Sequence, residues 1–288
     1  MRKIMLTGGN GMLGRTICRI LGNSCRIIPT DLPETDITSP DSLELALALH
    51  QPDAVIHCAA MTAVDDCETK RDLAFLLNET GTANVAAACK KAKVRLIAIS
   101  TDYVFRGNDP HPYTEDDAAD GGATVYGQSK FAGEEAVRQI YPENSLICRI
   151  SWLYGFGGPS FVHTMRKLAD GTRPELKVVH DQIGNPTSAI AVARKLGELL
   201  EHPELTGTFH LTCEGEASWY EFACEIFRQS GLTQNVTPCR TEDFPRPAPR
   251  PHNSRLVKQS LAKAGLSPMP DWRDALAEFL QEEFGVTR

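Results

Sequence analysis

Gly8-Gly9-Asn10-Gly11-Met12-Leu13-Gly14 stands directly behind the apolar run Ile4-Met5-Leu6-Thr7 and ahead of a segment with helical periodicity. Glycines at 8, 11 and 14 permit a tight turn, close approach of backbone to a pyrophosphate and close packing of helix on strand. The helix N-terminus adds free amides and a partial positive charge. Glycine spacing alone is a weak signal; the strand before it and the helix after it make it a dinucleotide-binding fingerprint. Asp31 ends the next apolar run, roughly 20 residues further on, where a carboxylate accepts hydrogen bonds from an adenosine ribose. Its charge disfavours a ribose 2′-phosphate, so NADH is expected to bind, without excluding NADPH.

The rest of the first half repeats the same alternation. Apolar runs at Arg26–Ile28, Ala54–Ile56, Leu96–Ile99 and Leu146–Cys148 are separated by helical segments from Pro40 to Leu49 and from Asn78 to Lys91. With the opening run this predicts five strands of a Rossmann-type, doubly wound parallel α/β sheet, whose strands read as continuous apolar runs because both faces are buried. Ser39-Pro40 supplies an N-cap serine and a proline at the first helical position. Past Ser151 the elements shorten and Pro and Gly increase. The expected organisation is a dinucleotide-binding domain over 1–150, to which later segments are free to return, and a smaller, mixed, mainly substrate-binding region over 151–288.

Composition excludes several classes. A chain of 288 residues that is 42% hydrophobic buries a core without staples. Its nine cysteines are odd in number with no C-x-x-C pair, which argues against a disulfide framework or zinc site. No signal-peptide core and no apolar stretch of ~20 residues is present, so a cytoplasmic protein without a membrane span is expected. The balance of 30 basic against 37 acidic residues, a formal −7, disfavours nucleic acid as a partner. The densest basic stretch, Arg246 to Arg255, is interleaved with prolines and reads as a small-anion site.

Tyr126 and Lys130 stand four apart in Tyr126-Gly127-Gln128-Ser129-Lys130, so both lie on one helix face, where an ammonium can lower the pKa of a phenol. Such a pair is common on surface helices. Its weight comes from Ser100-Thr101-Asp102-Tyr103-Val104-Phe105, which places hydroxyls at the carboxyl end of the fourth strand, where open α/β sheets bind ligands. Thr101 as a hydrogen-bond donor, Tyr126 as a proton donor and Lys130 on a nicotinamide ribose would meet the needs of hydride transfer to a ketone.

Taken together, the glycine motif, the strand-end Ser/Thr and Tyr-x-x-x-Lys resemble the extended short-chain dehydrogenase/reductases. Ser100–Phe105, Val125–Lys130, Arg149–Gly155, Asp181–Thr187 and Arg250–Leu256 are more narrowly similar to the dTDP-4-dehydrorhamnose reductases, in order and approximate spacing from residue 3 to about 280. That resemblance implies an NAD(P)H-dependent reductase of a dTDP-4-keto-6-deoxy sugar. Tyr126, Lys130 and Thr101 would be catalytic, with Tyr126 and Lys130 also touching the cofactor. Gly8, Gly11, Met12, Leu13 and Gly14 would line the pyrophosphate, Asp31 the ribose, Asp36 and Ile37 the adenine, and Ala60, Met61 and Thr62 the cofactor's middle, Met61 by backbone only. Asp102, Trp152, Arg250, Asn253 and Ser254 would face the sugar nucleotide, with Arg246 and Arg255 beside them on its diphosphate.

NADPH or NADH is the implied cofactor. Mg²⁺ finds no support in the sequence, and the oligomer is expected to be a monomer or homodimer. Other readings stand beside this one. A dehydratase commonly needs Thr-Asp-Glu, and here Tyr103 takes the glutamate's place. A non-catalytic dinucleotide-binding subunit like the methionine adenosyltransferase beta subunit shares the fold, as do other nucleotide-sugar reductases and epimerases.

Overall fold

The computed structural model describes residues 1–286. In the first half, strands β1 (Arg2–Thr7), β2 (Cys25–Thr30), β3 (Ala54–His57), β4 (Arg95–Thr101) and β5 (Ser145–Ile150) alternate with α1 (Met12–Leu21), α2 (Pro40–His50), α3 (Val64–Thr69), α4 (Arg71–Phe75), α5 (Gly81–Ala92) and α6 (Val125–Ile140). The second half supplies β6 (Leu153–Tyr154), α7 (Phe161–Leu168), β7 (Leu176–Val179), β8 (Ile183–Gly184), β9 (Thr187–Ser188), α8 (Ala189–Leu200) and β10 (Gly207–His210). It continues with β11 (Ala217–Ser218), α9 (Trp219–Ser230), β12 (Val236–Cys239), β13 (Asn253–Ser254), α10 (Gln259–Lys263) and α11 (Trp272–Phe284).

The main sheet has the order β10-β5-β4-β3-β1-β2 and is parallel throughout. It holds six strands, one more than the sequence predicts. The sixth, β10, is only Gly-Thr-Phe-His, too short and too polar to read as an apolar run, and pairs with β5 in the register Phe209↔Cys148. Alternate residues of each inner strand enter different cores. Ile4, Leu6, Ile56, Ile97 and Leu146 pack with α1 and α8 on one face. Met5, Val55, Leu96, Ala98 and Ile147 pack with α2 and α5 on the other. This two-sided burial is why period-2 alternation is invisible in the sequence.

The segment read as one helix from Asn78 is built differently. A short helix begins at Arg71, passes through a π-helical turn at Leu76–Thr80, and only then becomes α5. Ser39 caps α2 as expected, its hydroxyl accepting from the amide of Ser42. The smaller sheets, β11-β8-β13, β12-β7 and β6-β9, lie in the second half.

Candidate active site

Strand order reverses between β1 and β3, and the carboxyl ends of the strands there open into a cleft of about 520 Å³. Such a switch point is where open α/β sheets leave a crevice. Gly8 has φ +71°, and a Cβ on it would lie 2.6 Å from the backbone nitrogen of Ala59. A Cβ on Gly14 would lie 2.3 Å from the carbonyl oxygen of Gly8. Both positions therefore demand glycine. Gly11 precedes α1 as its N-cap and brings no side chain to it, so the helix's first amides remain free to meet an anion. Gly8, Gly11, Met12, Leu13 and Gly14 all line the cleft.

Asp31 lines it too, one residue beyond β2, its carboxylate accepting from the amides of Asn10 (3.3 Å) and Leu32 (3.1 Å). Asp36 and Ile37 close that end. Asp36 Oδ1 is taken by the amide and hydroxyl of Thr38, and the carbonyl of buried Ile37 accepts from Asn84 Nδ2 at 3.1 Å. Ala60 and Thr62 lie on the wall. The residues present thus fit a dinucleotide: a glycine turn packed too tightly for a Cβ at positions 8 and 14, an uncapped helix start, and a carboxylate just past the second strand.

Met61 departs from expectation. It is not on the cleft wall; its amide and carbonyl are claimed by the side chain of Asn78 (2.8 and 3.0 Å), and its own side chain packs with Val64, Cys67, Val125 and Tyr126. Asn78 is fully buried, sits in the π-helical turn and also donates to Ser129 Oγ at 2.9 Å. It ties the cofactor-side loop to α6. A π-turn leaves no periodicity signature, so this residue escapes a sequence reading, although such turns recur at functional sites.

Thr124 caps α6, which puts Tyr126 in its first turn and Lys130 one turn on, both buried and both on the cleft. Thr101 ends β4 beside them; its hydroxyl donates to Asp102 Oδ1 at 3.0 Å and accepts from the amide of Tyr103 at 3.3 Å. Lys130 Nζ donates to the carbonyl of Ile99 at 2.7 Å, so the lysine is fixed on β4. Burial pushes Lys130 down to about 8, opposed by the negative field of Glu134.

For Tyr126 the expected downward pull is not what the surroundings produce. Burial raises it well above the ordinary phenol range, and a hydrogen bond with Thr101 works against that. Tyr126 is therefore held as a neutral phenol, the form that can donate a proton. Burial also pushes Asp102 up to about 6, against hydrogen bonds from Ser254 and Thr101.

Trp152 follows β5 and lines the cleft at φ +47°, its indole stacked on Trp219 with ring centroids 3.6 Å apart. Asp102 lines the cleft, and Ser254 reaches it through Asp102. Arg250 and Asn253 do not line this cleft themselves, although Arg250 shares an adjoining pocket with Tyr103 of the cleft. Arg250 donates to Asp65 Oδ2 at 2.9 Å and to the carbonyl of Ala248 at 2.9 Å. Arg246 also faces Asp65, at 3.9 Å. Asn253 donates to the carbonyls of Asp109 and His111 (both 2.7 Å) and accepts from Arg255, which itself reaches the carbonyl of Pro110. The loop's cations thus meet partners within the protein, and Asn253 braces the loop. The carboxylate that holds Arg250, Asp65, lies nearly two hundred residues away in sequence, which no local pattern reveals. Among the described residues, no group of three or more His, Cys, Asp or Glu is placed to hold a metal ion, and no helix is long and apolar enough to cross a membrane.

The sequence profile of the RmlD substrate binding domain matches residues 1–284. The spore coat polysaccharide biosynthesis protein SpsK of Bacillus subtilis is 41% identical over 283 residues, 98% of each chain. A dTDP-4-dehydrorhamnose reductase structure from Clostridium acetobutylicum is 43% identical with TM-score 0.92, covering 97% of this chain and 99% of that one. Another from Bacillus anthracis, solved in complex with NADP, is 38% identical with TM-score 0.94, covering 98% and 100%.

Proposed function

Because the chain belongs to the RmlD substrate binding domain family, we propose that it reduces the 4-keto group of dTDP-4-dehydro-β-L-rhamnose with NADPH or NADH, giving dTDP-L-rhamnose. The observation that carries this reading is the convergence of Thr101, Tyr126 and Lys130 on one wall of the cleft that begins at the glycine cradle. The nicotinamide supplies the hydride when bound. Gly8, Gly11, Met12, Leu13 and Gly14 would hold its pyrophosphate, Asp31 its adenosine ribose, and Lys130 its other ribose.

The chain's own residues then do three things. Thr101 orients the carbonyl oxygen by hydrogen bonding, which fixes the reacting carbon relative to the cofactor side of the cleft. Tyr126, a neutral phenol, delivers its proton to that oxygen as charge develops there. Lys130, mostly protonated at neutral pH, stabilises the phenolate left behind. Trp152 and Asp102 border the space for the sugar. Tyr103 stands where a dehydratase would carry its proton-abstracting glutamate, its ring edge-on to Tyr126 with centroids 5.5 Å apart, so the wall offers no base for dehydration there.

Steady-state oxidation of NADPH and NADH by the 4-keto sugar nucleotide tests this. Turnover dependent on the sugar, with dTDP-L-rhamnose as product, supports it. Tight cofactor binding without turnover overturns it and favours a non-catalytic subunit.

A further inference from the structure

Beneath the reacting face of α6 lies a buried charge network that the mechanism above does not use. Glu134, one helical turn beyond Lys130, is 3% exposed, and Arg149 on β5 is 2% exposed. Their side chains pair twice, Arg149 Nε to Oε1 at 2.9 Å and an Arg149 terminal nitrogen to Oε2 at 2.7 Å. Ser100, adjacent to Thr101, donates to Glu134 Oε1 at 2.5 Å, and Arg138 donates to Oε2 at 2.7 Å. Behind them Arg149 lies 4.8 Å from the ring centre of Phe105 and 3.5 Å from His210 Nε2 on β10. Glu134 thereby joins α6 to β4 and β5, and through Arg149 to β10.

A buried ion pair is poor evidence of added stability, because desolvation of both charges offsets most of their attraction. Its position is more informative. The other titratable groups around Lys130 are His57 and Cys58 at the end of β3, and Tyr126 on α6. His57 is buried between Thr7 Oγ1 (2.7 Å) and Thr82 Oγ1 (3.1 Å) and held neutral, down to about 3, by burial and by Lys130. Burial pushes Cys58 up to about 12 and keeps it a thiol. Tyr126 is a neutral phenol. Glu134 is the one group among these that carries a full negative charge at neutral pH.

We propose that Glu134, locked by Arg149, Ser100 and Arg138, is a positioning residue for the reaction, keeping buried Lys130 charged and holding the Tyr126–Lys130 face of α6 in register with Thr101. The inference rests on the roles given to Tyr126 and Lys130, but its primary readout needs no substrate. Lysine labelled with ¹³C at Cε reports the titration of Lys130 in the cofactor-free protein.

Removing the charge and loosening the structure predict opposite signs. In Glu134→Gln, loss of the negative field lowers the Lys130 midpoint by ~1 unit. A purely structural role would let water in and raise it toward the ordinary lysine range. Glu134→Asp, which retains the charge, should restore most of the parent midpoint. In turnover assays Glu134→Gln should move the basic limb of the kcat profile to lower pH, with KM for the sugar nearly unchanged.

A midpoint in Glu134→Gln that is unchanged or higher overturns the proposal. If that variant does not fold, Glu134→Asp carries the test, because the shorter carboxylate keeps the charge while loosening the lock on Arg149. The Lys130 midpoint should then stay near that of the parent while kcat falls. A midpoint that rises toward the ordinary lysine range, or an unchanged kcat, overturns the proposal. Absent turnover with the expected lysine shifts would refute the reductase reading and leave the electrostatic coupling standing.

Discussion

The indole of Trp152 lies parallel to that of Trp219 within 8°, with ring centroids 3.6 Å apart. Trp219 opens α9, donates from Nε1 to Gln182 Oε1 at 3.1 Å and is backed by Phe161. On Gly184 a Cβ would come within 2.5 Å of the Trp152 ring, so that glycine makes room for it. Trp152 holds an unfavourable left-handed backbone conformation for a bulky residue, and the stack is what keeps its ring at the cleft.

Replacing Trp219 by alanine should therefore raise KM for the sugar nucleotide about tenfold, equivalent to ~1.4 kcal/mol, and leave cofactor affinity unchanged. Trp219→Phe should recover most of the loss. Steady-state kinetics with a cofactor titration by fluorescence check both, and an unchanged KM in the alanine variant would show that Trp152 is held by other means.

Tyr126→Phe removes the proton donor without vacating the ring's packing against Met61, Cys67 and Val125. Turnover should fall by at least ~100-fold, while the dissociation constant for NADPH changes less than about threefold. Comparable activity in this variant would remove Tyr126 from its role.

Gly14→Ala places a methyl against the Gly8 carbonyl, 2.3 Å away, and against Gly9. The cradle must open to admit it. The expected cost is ~1–3 kcal/mol of stability. Cofactor binding should weaken at least ~10-fold. Calorimetric titration with NADPH and a denaturant midpoint measure the two effects.

The buried histidines set an acid response. His57 and His210 are each held down to about 3, chiefly by burial, and an unfolded histidine titrates at ~6.5. The unfolded chain therefore takes up protons first, and the stability these neutral rings confer is full above pH ~6.5 and lost as pH falls toward 3. Asp102, raised to about 6, works in the opposite sense and recovers part of the loss. His210→Asn preserves a donor toward the carbonyl of Val257, which His210 Nδ1 approaches at 2.8 Å. Between pH 7 and pH 5 that variant should lose ~2 kcal/mol less stability than the parent, measured by urea unfolding at each pH.

Much of this was legible in the chain. Ile4 to Thr7 followed by the glycines announces a strand, a cradle and a helix because each step has a local physical cause. Asp31, Thr101, Tyr126, Lys130 and Trp152 follow from strand ends and helix spacing, and all five line the cleft. What the sequence conceals is long-range or irregular. The Asp65–Arg250 pair joins segments 185 residues apart, the Asn78 clasp depends on a π-helical turn, and β10 is recruited by pairing with β5. The ionisation of Tyr126 is hidden as well. Helix spacing places Lys130 near it, but burial decides the direction, and burial is a property of the assembled fold.

Reduction at C4 of a dTDP-4-keto-6-deoxy sugar on the Thr101, Tyr126 and Lys130 wall requires hydride to pass directly from the cofactor to that carbon. A single turnover with cofactor deuterated at the transferring position tests it most directly. One deuterium should appear at C4 of the product per cofactor oxidised, with dTDP-L-rhamnose as that product. Cofactor bound tightly and no deuterium in the sugar would contradict it.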